Sequence, residues 1–121
     1  MYLTPAIVEE MYNLLRACPP FRSWRLPPSD EVAFHITLSK KTFGKCVYDW
    51  DDKHTRPPRF EFHASARCIR QLGTLTRFMA HEMIHMREYL TGVRDDVKHG
   101  ASFQRMADQV CRLHGFDRGE F

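Results

Sequence analysis

The pentad His81-Glu82-Met83-Ile84-His85 sits inside a stretch where Leu72, Leu75, Met79, Met83, Met86 and Leu90 recur at helical spacing. The spacing predicts a long helix from about Arg67 or Ile69 through Leu90, with Thr91-Gly92 as its C-terminal stop. Positions i and i+4 share one helical face about one turn apart, so both imidazoles can reach one ion. Two histidines and a glutamate are costly to bury in so apolar a helix unless they are partnered.

The pentad is an HExxH. Zinc accepts imidazole nitrogens at about 2.0–2.1 Å. Glu82 is rotated away from the histidine pair, yet near enough to take a proton from a water at the ion. A shuffled chain with seven His and seven Glu would show this string about 2% of the time, so the spacing alone is informative. A catalytic zinc usually has three protein ligands and one open position. One three-histidine pattern wants the third His six residues after the second, where this chain has Thr91, and wants glycine where it has Glu88. A three-histidine endoribonuclease pattern also fails at Thr91. A glutamate from a later helix could only be Glu120, a poor anchor next to the free end. His99 is the better candidate. It lies beyond the Gly92 stop, at the start of the last helix, and a helix, a turn and a return can bring it back over His81 and His85.

The rest of the chain reads as an α+β domain. Its 121 residues fit one domain, 1–121. Hydrophobic residues at 43% and charged residues at 27% are ordinary for a soluble globular protein and argue against disorder. No apolar run approaches the roughly 20 residues that span a bilayer, so no membrane partner is expected. Met1 to Asn13 carries Glu9 and Glu10 and no basic n-region, which places the protein in the cytoplasm. Cys18, Cys46, Cys68 and Cys111 form no CxxC pair and read as reduced, mostly buried thiols. Thr4-Pro5 opens an amphipathic helix over 5–17, and a proline-bearing loop over 19–30 packs back through Phe21 and Trp24. Three strands follow at Val32 to Leu38, Gly44 to Trp50 and Arg59 to Ala64, with a turn at Ser39-Lys40-Lys41. A last helix runs from about Ala101 to Leu113, with Phe103, Met106, Ala107, Val110 and Leu113 as its apolar stripe.

The HExxH, a short polar linker and then His99-Gly100-x-x-Phe103 together resemble the SprT-like metallopeptidase family, which includes Spartan-type DNA–protein crosslink proteases. Leu75 to Ala80 and Met106 fit the same pattern. The resemblance covers residues 69 to 114 well and the upstream part loosely. It implies a zincin-like domain: an N-terminal helix, a three-stranded mostly antiparallel sheet, the HExxH helix and a following C-terminal helix. It further implies that His81, His85 and His99 bind Zn2+ and that Glu82 is the general base of peptide hydrolysis. An edge strand would border the substrate cleft, with Arg59 to Ala64 as the candidate, where an extended peptide could add by backbone hydrogen bonds. The four-cysteine ribbon of many bacterial members and the DNA- and partner-binding segments of Spartan proteins find no counterpart. The chain therefore resembles a short form.

The expected partner is a protein or peptide substrate. Tyr89, Arg94, His63 and His114 are candidates for steadying an oxyanion. Asp95, Asp96 and Asp108 are candidates for accepting the second ring N–H of a ligating histidine, although Asp108 also fits an exposed helix position. The net charge of +3 suits a polyanion without requiring one. DNA is a candidate partner, through Arg and Lys residues interleaved with Phe21, Trp24, Tyr48, Trp50 and Phe60. Two competing readings stand: a nucleic-acid- or protein-binding module whose zinc is structural or vestigial, and a protease directed at one particular regulator.

Overall fold

The first helix begins where Thr4 Oγ1 accepts the Ile7 N–H at 3.2 Å and Pro5 takes the first helical position. The computed structural model describes residues 1–51, 53, 55–93 and 98–121. Helix α1 (Pro5–Arg16) buries Val8, Met11, Tyr12 and Leu15, while Leu14 turns outward. Tyr12 is fully buried and keeps a partner, its hydroxyl donating to the Pro27 carbonyl at 2.5 Å. Phe21 and Trp24 pack inward and meet edge-on at 4.9 Å, as their spacing in the proline-bearing loop suggests.

Strands β1 (Val32–Thr37), β2 (Gly44–Asp49) and β3 (Arg59–Ser65) form one sheet in the order β1-β3-β2. The α+β reading holds, but the sheet is mixed: β3 runs parallel to β1 and antiparallel to β2. A mostly antiparallel sheet would follow if the Ser39 turn paired β1 directly with β2. That turn does form, with Ser39 Oγ accepting from the Lys41 and Thr42 N–H groups. Yet β3 inserts between the two strands beneath it. The end of β3 is pinned there: the Ser65 N–H donates to the Phe43 carbonyl at 2.8 Å and Ser65 Oγ to the Ser39 carbonyl at 2.6 Å. Six residues, 38–43, easily span the roughly 10 Å between alternate strands. β3 is thus the central strand, and it buries Phe60, Phe62 and Ala64.

The register sorts the faces. Phe34, Phe62 and Cys46 are paired on the core side, with Phe34 and Phe62 stacked at 5.8 Å. His35, His63 and Lys45 are paired on the other side.

Helix α2 (Leu72–Thr91) starts later than the spacing predicts. Ser65 Oγ accepts from the Arg67 and Cys68 N–H groups and the Ser65 carbonyl accepts from Ile69, so a local turn takes up 65–69. Leu75, Met79, Met83 and Met86 are fully buried, as the stripe predicts, but Leu72 in the first turn is 60% exposed. Gly92 ends the helix in the left-handed region at φ 69°, with Val93 N–H on the Glu88 carbonyl and Gly92 N–H on that of Tyr89, a Schellman closure. Helix α3 (Ala101–His114) buries Phe103, Ala107, Val110 and Cys111, and Leu113 turns to solvent. Among the described residues no helix is long and apolar enough to cross a membrane. All four cysteines are free thiols, and Cys46 and Cys111 are buried.

Candidate metal centre

His81 and His85 project from one face of α2, one turn apart. His99 reaches them from the segment before α3, and its backbone sits at φ 62°. That left-handed conformation is uncommon for a residue with a Cβ. It turns the ring back over the helix. His99 Nε2 lies 3.2 Å from His81 Nε2 and 3.0 Å from His85 Nε2.

The donor chemistry fits a metal ion. His81 Nδ1 donates to the backbone oxygen of Phe121 at 2.8 Å, which commits its proton to that side and leaves the Nε2 lone pair facing inward. Glu88 Oε1 lies 3.5 Å from His85 Nδ1, at the outer limit of a hydrogen bond, and biases that ring the same way. With the His99 Nε2 proton in place that ring can donate to one of the other two; with it gone, three lone pairs face one another and suit a cation among them. The separations also approach the roughly 3.3 Å edge of a tetrahedron with 2.0–2.1 Å bonds. Burial holds His81 down to about 4 and His85 to about 3, and it lowers His99 as well. All three rings are therefore neutral near pH 7, the form that ligates metals.

Phe103, in the first turn of α3, is the platform beneath all three rings. Its centroid is 4.8 Å from those of His81 and His85 and 4.2 Å from that of His99, stacked on the latter two. The Phe121 ring closes the far side of His81 at 5.3 Å.

Glu82 points beside the trio. Its Oε2 accepts the Cys46 N–H at 3.2 Å, which ties the carboxylate to β2. Burial raises its pKa to about 7, against the lowering effect of that N–H and of Lys98. A carboxylate poised near neutral pH can both take and return a proton. The surrounding cleft, of about 500 Å³, is lined by Gly44, Cys46, Glu88, Tyr89 and Lys98 as well as by His81, Glu82, His85 and His99. A second hollow of about 340 Å³ shares Gly44, His81 and Glu82 and continues past Phe43, Phe78 and Phe121.

The strand at this cleft is β2. Arg59 to Ala64 cannot serve as the edge, because β3 is paired on both sides. Since Cys46 N–H points to Glu82 rather than β3, the backbone groups of Gly44, Cys46 and Tyr48 line the free edge. Gly44 is required there. At its φ of 148° a Cβ would fall 1.8 Å from the His63 carbonyl oxygen and 2.8 Å from the Phe78 ring.

The other candidates separate. Tyr89 lines the cleft and stacks on Tyr48 at 4.1 Å. His63 faces Glu61 on the outer side of the sheet, and His114 Nε2 donates to the Pro19 carbonyl away from the cleft. Asp108 pairs with Arg118 at 2.7 Å on the exposed face of α3. Arg94, Asp95 and Asp96 lie outside the described residues. Sequence reasoning missed Glu88, although its i+3 spacing from His85 was a usable signal. It also missed the platform role of Phe103, the Phe121 oxygen and Lys98. Nothing local in the sequence announces those contacts.

The fold and the histidine trio define a small α+β domain able to hold a metal ion. The SprT-like family model matches residues 21–118, and the chain belongs to that family. Membership suggests a metallopeptidase-like domain. No curated protein matches the chain.

Proposed function

We propose that this protein is a zinc-dependent metallopeptidase acting in the cytoplasm, with His81, His85 and His99 holding the ion and Glu82 as general base. The observation that carries the reading is the convergence of three neutral imidazoles beside a buried carboxylate in an open cleft. Zinc, when bound, supplies Lewis-acid chemistry: it polarises the scissile carbonyl and lowers the pKa of water toward about 7. The substrate peptide lies extended along the free edge of β2 and takes backbone hydrogen bonds there. Glu82, held by the Cys46 N–H, removes a proton from the attacking water and delivers it to the leaving amine. Tyr89 and Lys98 flank the position where the oxyanion forms. Among the described residues the trio is joined by no fourth protein ligand; a catalytic zinc has three protein ligands and keeps its fourth position for water or substrate. The four free thiols suit a reducing compartment. The experiment is metal content of the purified protein paired with a peptidase assay of wild type and Glu82→Gln. About one zinc in each and turnover only in wild type is expected. Full turnover in the variant would remove the general-base role.

A specific feature supports DNA-associated proteins as substrates. Lys40, Arg67 and Arg70 line a shallow hollow of about 390 Å³ with Cys68, at the end of the sheet that leads into α2. Three cations around one hollow suit phosphate contacts. Affinity for DNA should fall with salt, and each cation removed should flatten the log–log slope by about one. Affinity insensitive to salt would remove this part of the reading.

A further inference from the structure

The outer face of the sheet carries a second cluster of metal-ligating side chains. The parallel register sets His35 directly opposite His63, and Glu61, two residues earlier on β3, shares their face. The two rings stack at 4.8 Å with 29° between their planes. Glu61 divides its carboxylate between them: Oε1 lies 3.4 Å from His35 Nε2 and Oε2 lies 3.4 Å from His63 Nε2. One ligand atom from each residue can be chosen so that all three lie within 4.8 Å of one another.

We propose that His35, Glu61 and His63 form a second site for a divalent late transition-metal ion, with zinc as its resident. Two imidazoles and one carboxylate are a donor set that favours such ions over magnesium or calcium. With one ligand atom from each residue within 4.8 Å of the others, rotation of these partly exposed side chains brings the donors to the roughly 3.3 Å that ligand atoms adopt around zinc. Neighbouring strands hold all three Cα atoms, so little backbone needs to be ordered on binding. The side chains are 48%, 46% and 25% exposed, which leaves the remaining coordination positions to water and makes the site reversible. Lys45 is placed beside His63 by the β2–β3 register and weakens the hold on a second cation. An ion here bridges β1 and β3, so free zinc stabilises the sheet by mass action.

The test is equilibrium dialysis of the full chain against micromolar zinc, with metal counted per chain in wild type, His35→Ala and Glu61→Gln. Wild type should hold one more zinc than His35→Ala, whatever the cleft holds in both. Glu61→Gln should weaken the additional binding by about tenfold or more. Free zinc should raise the thermal midpoint of wild type further than that of His35→Ala. Equal zinc counts in folded wild type and folded His35→Ala would overturn the proposal, leaving Glu61 as a hydrogen-bonding bridge alone. Should His35→Ala fail to fold, the imidazole NMR signals of wild type decide: zinc should shift those of His35 and His63 together, and unmoved signals at saturating zinc overturn the site.

Discussion

The two clusters on either side of the sheet differ less in their ligands than in what surrounds them. The cleft trio sits on α2 and the turn before α3, with Phe103 stacked beneath it and acceptors at Phe121 and Glu88 behind two of its rings. The outer trio stands on two strands, partly exposed, with its carboxylate inside the ligand set. The difference teaches where reactivity comes from. Ligand spacing occurs twice among the described residues. A buried carboxylate beside the ligands, raised toward neutral pH and held against a free strand edge, occurs in the cleft.

The strongest way to break that contrast is to neutralise Glu82. Glu82→Gln should lower peptidase turnover by about 10²- to 10⁴-fold, the range for a general base, while zinc content stays at the wild-type level. A variant that loses its zinc as well would show that Glu82 supports the ligands rather than the proton transfer. Next in size is His99→Ala. Losing a ligand should weaken zinc by more than the roughly 100-fold upper figure for an outer partner, whereas His114→Ala should leave zinc retention unchanged. Equal losses would reassign the third ligand.

Glu88 sharpens the comparison further. Glu88→Gln keeps the shape but removes the charge facing His85, and about a tenfold loss of zinc affinity is expected by competition with a chelator. The same zinc affinity in the variant would show that the 3.5 Å contact does not tune the ligand.

The legibility of these parts follows their locality. His81 and His85 were readable because four residues on a helix fix their relation. Gly92 was readable because a left-handed closing residue favours glycine, and it adopts φ 69°. His99 required elimination, since its distance in space depends on how α3 returns. The edge strand was misread because strand order is non-local: Phe60 and Phe62 mark a strand with a buried face, but not that Ser65 would lock it between the other two. Leu72 and Leu113 fit helical stripes and yet are exposed, because a stripe continues past the point where its neighbour ends. Glu88 stands at i+3 from His85, but that spacing alone does not separate a partner of the ring from a solvated helix residue.

The smallest effect concerns the order in which the two sites empty. His81 has its Nδ1 proton committed to the Phe121 oxygen, His85 faces Glu88, and a ring lies beneath the trio, so an ion there gains pre-oriented, partly buried ligands. The outer ligands are more solvated, and Lys45 lies beside them. A chelator of increasing strength should therefore remove the outer ion first, with no change in turnover, and the cleft ion second, with complete loss of turnover. The measurement is residual zinc per chain and peptidase rate on the same samples. A rate that falls in step with the first ion would mean either that the outer site binds more tightly than its exposure suggests or that it supports catalysis. Repeating the titration with His35→Ala separates these. If that variant holds a single ion and starts at the wild-type rate, the cleft is the weaker site and the contrast in burial does not set affinity here; a variant already slow before chelation shows that the outer site supports catalysis.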